Sequence, residues 1–164
     1  MKNRKAFTLI EMLVTTLIIG VLIAVAVPAY ENAIAKTYAA QVESAIRNIA
    51  KAQTSFFLEN NMYATDPAVL DITYPISNDG TKITLKKGEC NLTHLTGTDP
   101  YIECEMTHPH LTFHHIMDSN RLNCHSYSDD DYKADFVCQE LTEMETPYKT
   151  AGNMRYYSHG ITHE

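Results

Sequence analysis

Residues 7–29 read FTLIEMLVTTLIIGVLIAVAVPA, 23 positions in which Glu11 is the one ionisable side chain. At about 1.5 Å per residue a helix of that length reaches roughly 34 Å, enough to cross a hydrocarbon layer about 30 Å thick. From Tyr30 the pattern turns amphipathic. Ile34, Tyr38, Val42, Ile46, Ile49, Phe56 and Phe57 recur at helical spacing, and Lys36, Glu43, Arg47, Lys51 and Glu59 take other sides. The spacing predicts one helix continuing to about Asn60, where Asn60-Asn61 suits an end, and Thr65-Asp66-Pro67 opens a short turn or helix closing near Leu70-Asp71-Ile72. Beyond residue 60 the apolar positions fall into short alternating runs at 82–85, 101–106 and 111–117, which predict strands of a small antiparallel sheet. Turns are expected near Asn78-Asp79-Gly80 and at 97–100. Tyr132, Phe136, Val137 and Leu141 stand at near-helical intervals, so a short late helix is expected over 130–141. The predicted fold class is α+β: a long N-terminal helix, half apolar and half amphipathic, packed on a small antiparallel sheet.

Charge sharpens the division. Residues 1–60 hold six Lys/Arg against four Asp/Glu, whereas the rest holds seven against sixteen, and the whole chain carries −7. An acidic head disfavours broad attraction to nucleic acid. Lys2, Arg4 and Lys5 precede the apolar run with no acid among them, which by the positive-inside rule holds the N-terminus in the cytoplasm and sends the bulk of the chain outward. Three readings compete for the run: a cleaved secretory signal, a plain anchor, and an anchor that later serves as a packing element. A secretory signal has an apolar stretch of about 7–15 residues and a small-residue cleavage site, and this stretch is too long. A plain anchor has no use for Glu11, since an acid well inside a spanning helix costs about 2.5–3.5 kcal/mol unless it is paired or interfacial. The charge asks for a partner.

The run Lys5-Ala6-Phe7-Thr8-Leu9-Ile10-Glu11-Met12-Leu13-Val14 resembles the leader and N-terminal motif of the type IV pilins and of the pseudopilins of type II secretion. The resemblance covers residues 1–60 well and the remainder in outline. It implies a pilin fold and four segments: a cytoplasmic leader at 1–6, a transmembrane and filament-core helix at 7–29, its amphipathic continuation at 30–60, and a head at 61–164. It further implies cleavage between Ala6 and Phe7 by a prepilin peptidase, which methylates the new amine at Phe7. That family usually places Gly just before the cut, and Ala6 stands there instead, which predicts slower or more enzyme-specific processing. Gly20 and Pro28 fall where such proteins place helix-loosening residues. Because Gly is a poor helix former and Pro lacks an N–H, a kink or melted segment is expected between them. Val14, Gly20, Ala24 and Ala26 suit close helix packing.

The same resemblance gives Glu11 a partner, the Phe7 ammonium of a neighbouring subunit; in low dielectric the pair attracts strongly while desolvation offsets much of it, so the gain is mainly register. The implied partners are identical or homologous pilin subunits, the peptidase/methyltransferase, an inner-membrane assembly platform, and lipid before assembly. The implied location is the inner membrane as precursor, then an extracellular pilus. Two alternatives stay open: a pseudopilin with a short periplasmic filament, which two disulfides fit less well, and an anchored binding module that never polymerises.

Cys90, Cys104, Cys124 and Cys138 all lie in the outward part, where oxidation is permitted, and a head this small gains from staples. Four cysteines allow three pairings; the equal short intervals favour Cys90 with Cys104 and Cys124 with Cys138. The C-terminal pair resembles the disulfide-bounded region of pilins. Zinc is disfavoured because no C-x-x-C occurs. The stretch HPHLTFHH brings His108, His110, His114 and His115 close together, and on a strand His108 and His110 would share a face, yet exposed histidines are the simpler reading. Asp129-Asp130-Asp131 lacks the Gly and distal Glu of a calcium loop and reads as a solvated turn before the late helix. Asn91-Leu92-Thr93 matches a glycosylation sequon. No nucleophile elbow, phosphate loop, zinc-protease motif or dinucleotide turn occurs, so neither an enzyme nor a cofactor is expected, and no metal is assigned.

Overall fold

The computed structural model describes residues 7–127 and 132–158. Two compact units divide at Ile34/Ala35. Among its described residues the first is helix from Leu9 onward, the opening part of α1 (Leu9–Asn60), and residues 7–30 are exposed throughout. This stretch is long and apolar enough to cross a membrane.

The second unit is an α+β head. The rest of α1 buries Ala35, Ala39, Val42, Ala45, Ile46, Ile49, Ala50 and Gln53, a stripe at i, i+3 and i+4. Half of that stripe is alanine, which lets the helix lie close on a sheet. Against it lie Ile83, Ile102, Cys104, Met106, Leu111, Phe113, Leu122 and Tyr157 in one continuous core. The sheet is antiparallel and seven-stranded: β1 (Lys82–Leu85), β2 (Gly88–Asn91), β3 (Tyr101–Thr107), β4 (His110–Ile116), β5 (Arg121–Tyr127), β6 (Lys149–Ala151) and β7 (Met154–Ser158). Its order is β1-β2-β3-β4-β5-β7-β6, so β7 returns between β5 and the edge strand β6. Between β5 and β6 the chain crosses as α2 (Tyr132–Thr142). Asp135 on α2 accepts a 3.2 Å hydrogen bond from the Tyr157 hydroxyl, another from Ser126, and the charge of Arg155, which docks the helix on β5 and β7.

After α1 the chain turns at Asn61, whose φ of +56° is a left-handed conformation that Asn tolerates. Buried Gln53 holds the returning segment: its Nε2 donates to the Ala64 carbonyl at 2.6 Å and its Oε1 accepts from Ala64 N–H at 2.9 Å. A 3₁₀ turn at Pro67–Val69 follows, capped by the Asp66 carboxylate accepting from Ala68 N–H. The connection from β1 to β2 is the two residues Lys86 and Lys87. At Gly88 a Cβ would sit 2.3 Å from the Glu105 carbonyl oxygen on β3, so only glycine fits that approach.

Two departures from the sequence expectations have physical reasons. The segment between Gly20 and Pro28 is helical throughout, not melted. Pro28 removes a single hydrogen bond, and the surrounding Leu, Ile, Val and Ala residues keep the remaining ladder. His108 lies in the turn between β3 and β4 rather than on a strand, because β4 begins only at His110. The histidines of HPHLTFHH therefore do not share one face. His110 and His114 alternate outward on β4, whereas His115 points to the core side, where it is 2% exposed.

Outward, the sheet carries a row of rings. Tyr101 stacks on His94 and lies tilted against His114, both with ring centres 4.6 Å away; His114 meets His125 edge-on at 4.2 Å, and His125 meets Tyr156 at 4.4 Å. Burial, then the neighbouring His125 and His94, hold His114 down at about 3, and burial holds His125 at about 4, against an ordinary 6.5. Both rings are therefore neutral in the fold, and the unfolded chain takes up protons first as the solution is acidified.

Three outcomes are expected. The melting temperature of the full chain in detergent should hold above pH 6.5 and fall progressively from there toward pH 4, and His125→Phe should flatten that slope in a pH series of thermal melts. Gly88→Ala should cost about 1–3 kcal/mol by forcing β2 off β3. Gln53→Leu should cost about 1–3 kcal/mol by stranding a buried N–H and C=O, read as a lowered denaturation midpoint with an unchanged slope.

Candidate functional site

The first turn of α1 carries the chemistry. Thr8 is the residue before the helix, and its N–H and hydroxyl both donate to Glu11 Oε2, at 2.8 and 2.7 Å. Glu11 N–H donates back to the Thr8 Oγ at 3.3 Å. This is a reciprocal capping box, which satisfies two of the N–H groups that a helix start leaves without partners. It also places a carboxylate at the positive end of the helix dipole, where negative charge is favoured. Thr8 was not singled out in the sequence, although the pattern T-x-x-E before an apolar run carries the signal. Both hydrogen bonds engage Oε2. A carboxylate has about four acceptor sites, so Oε1 keeps capacity for a donor from elsewhere.

Around this turn the surface is apolar. Phe7 is 74% exposed and Leu9 82% exposed, and Ile10, Met12, Leu13 and Leu17 are likewise open. Gly20 lies in a shallow notch with Leu13, Thr16, Leu17, Val21 and Ala24, and a Cβ there would meet nothing within 4 Å. Thr15 and Thr16 donate their hydroxyls to carbonyls one turn back, which hides their polarity within the helix. Pro28 sits eight residues further on, inside the same uninterrupted helix. Ala6 lies outside the described residues. Glu11, Gly20 and Pro28 thus lie on one element with Phe7 two residues before it, and of the four only Glu11 is tied by side-chain hydrogen bonds to a neighbour.

In the head, Cys90 and Cys104 form a disulfide between directly paired positions of β2 and β3. Cys124 and Cys138 form another that ties β5 to α2. His94 and His114 each bring Nε2 near Glu103 Oε2, at 3.6 and 3.4 Å, and His110 approaches Glu105 at 3.0 Å. Among the described residues no group of three or more His, Cys, Asp or Glu side chains is arranged to hold a metal ion. Asp129, Asp130 and Asp131 lie outside the described residues. Asn91 ends β2 with its side-chain oxygen accepting from Thr93 N–H, and Leu92 beside it is fully buried.

Residues 1–27 match the family described as the prokaryotic N-terminal methylation motif. Two curated relatives, both fimbrial proteins of Pseudomonas aeruginosa, are 34% identical to the chain over 76 residues, 46% of this chain and 49% of theirs. The chain thus spans about half the length of the curated relatives it matches. No solved structure matches it significantly. A methylation motif at the start, an apolar first helix that continues into an α+β head, and two disulfides in that head make this chain type IV pilin-like.

Proposed function

We propose that this chain is a structural subunit of a type IV pilus, cut between Ala6 and Phe7, methylated at Phe7 and polymerised helically through residues 7–29. One observation carries the proposal: residues 7–30 expose nearly every apolar side chain, and the single carboxylate among them retains an unengaged oxygen at the first turn. Such a surface needs cover. Lipid supplies it before assembly, and neighbouring copies supply it afterwards. Apolar contact is equally available in both settings, so the preference for the filament comes from close packing at positions such as Gly20 and from polar pairing. Glu11 provides the polar part. Its Oε2 stays with Thr8, and Oε1 accepts from the Phe7 ammonium of the adjacent subunit, which fixes the step between copies.

In this role the precursor sits in the inner membrane with its leader in the cytoplasm and its head outside. The peptidase/methyltransferase and the assembly platform are its successive partners, and the finished filament is extracellular. The two disulfides suit a head exposed to oxidising surroundings. The role is structural rather than catalytic.

In cells that produce the chain, sheared surface material should contain filaments of this protein, and mass spectrometry of that material should find a methylated Phe7 as first residue. Glu11→Gln should reduce filaments to background while leaving the head's melting temperature within about 1 °C of the parent, since its side-chain hydrogen bonds are to Thr8 in the same turn. A leader still attached to assembled subunits would remove the processing step. Wild-type filament yield from Glu11→Gln would remove the pairing, and an outward-facing protein that never polymerises would favour the anchored binding module.

A further inference from the structure

Two surfaces of the head complement one another and lie at different levels of α1. One is a groove of about 500 Å³ between α1 and the β1–β2 hairpin. Tyr38 and Val42 line it from the helix, Leu85 from β1, Tyr74 from the segment before β1, and Lys86 and Lys87 from the hairpin turn. Both ammonium groups lie over the Tyr38 ring, 6.0 and 5.2 Å from its centre, so an aromatic face and two positive charges are held together. On a head with a large excess of acid, this is a basic spot with an apolar floor.

The other surface is the shoulder where α1 ends and the chain turns toward the sheet. Among the described residues of the second unit, Leu58 at 80%, Met62 at 63% and Val69 at 53% are the most exposed of the large apolar side chains. Glu59 and Asp71 lie beside Val69 and Phe56 in a notch whose lower end takes in Lys51; Asp66 caps the next turn, and no Lys or Arg occurs between Lys51 and Lys82, so within 58–71 the charges are all acidic. The shoulder is therefore apolar and acidic where the groove is apolar and basic. It stands about 25 Å further along the helix axis, taking about 1.5 Å per residue. One molecule can offer its groove to one neighbour and its shoulder to another. Contact between two unlike patches is heterologous and propagates, as a helical polymer requires.

We propose that the occupant of the groove is the 58–71 shoulder of a second copy of this chain, with Leu58, Met62 or Val69 entering between Tyr38 and Leu85 while Glu59 and Asp71 face Lys86 and Lys87. The proposal rests on the filament reading and gives that filament a second, electrostatic contact between heads. Charges at the rim set register and partner choice more than affinity, and salt weakens them.

The test uses the full-length chain in the cells that assemble it, with the mass of sheared filament as readout and the melting temperature of purified protein as the control for folding. Reversing the groove with Lys86→Glu and Lys87→Glu should lower filament yield about tenfold, and adding Glu59→Lys and Asp71→Lys should restore it, because each pair would again join opposite charges. Filaments at parental yield from the groove variant, while Glu11→Gln abolishes them, would overturn the docking contact and leave the filament reading standing. A loss that the shoulder reversal fails to restore would assign the groove to a different occupant and overturn the proposal. Absence of filaments from the parent chain would remove the filament reading itself, and this contact with it.

Discussion

One carboxylate in a stretch of apolar helix constrains everything that helix can do. Charge in such surroundings is costly unless hydrogen bonds and a counter-charge compensate it. Thr8 supplies the hydrogen bonds from within the same turn, to one oxygen only. The compensation is half complete inside the chain, and that incompleteness makes the first turn specific. A fully satisfied acid would be inert, and a wholly unsatisfied one would resist insertion into lipid. In the proposed filament the apolar surface that follows would supply adhesion without direction, so orientation and register would fall to the polar atoms.

The head obeys the opposite rule, since nearly all its polar groups find partners internally. Gln53 uses both ends of its amide on the backbone of Ala64, and Asp135 gathers Ser126, Tyr157 and Arg155. The disulfides divide their labour. One reinforces a strand pair already joined by a ladder, and the other ties a helix to the sheet where the chain has crossed out of it. Chain-entropy reasoning gives each short closure about 3 kcal/mol, a large share of what a small domain retains. Among the described residues of the head the exceptions are Ser158 Oγ and two buried imidazoles, of which both ring nitrogens of His125 and Nδ1 of His115 have no hydrogen-bond partner. The imidazoles are tolerable because a neutral ring costs far less to bury than a charged one.

The long helix was legible because its apolar period persists for dozens of residues, and β1, β3 and β4 because each alternates in the sequence. β2 was not: in Gly88–Asn91 only Cys90 is apolar and buried, and the strand exists because β1 and β3 pair with it on both sides. β5 hid for a related reason, since RLNCHSY puts Ser126 on the core face with Leu122 and Cys124, where alternation alone would place an apolar residue, and buries His125 on the opposite face, where it would place an exposed polar one. β6 and β7 show no apolar alternation; β7 takes strand form through its register with β5, and β6 through its register with β7. In the first turn, Glu11 stood out by its charge against an apolar background, while Thr8 did not, because a hydroxyl in such a run is common and its role depends on geometry. The alanines of the buried stripe were passed over for larger neighbours, although closeness of approach selects them.

The place of β7 has a consequence for how the head comes into being. It is the latest of the seven strands in chain order, yet it lies inside the sheet, between β5 and β6. Until it emerges, β5 presents an open ladder of N–H and C=O groups, the kind of edge that invites pairing with the wrong strand. While the chain is being made the head therefore passes through a stage with five strands paired, β6 waiting for its strand partner β7, and one seam unclosed. A chaperone that shields this seam, or rapid completion of the last strand, would protect it from adhering to its siblings before it is whole.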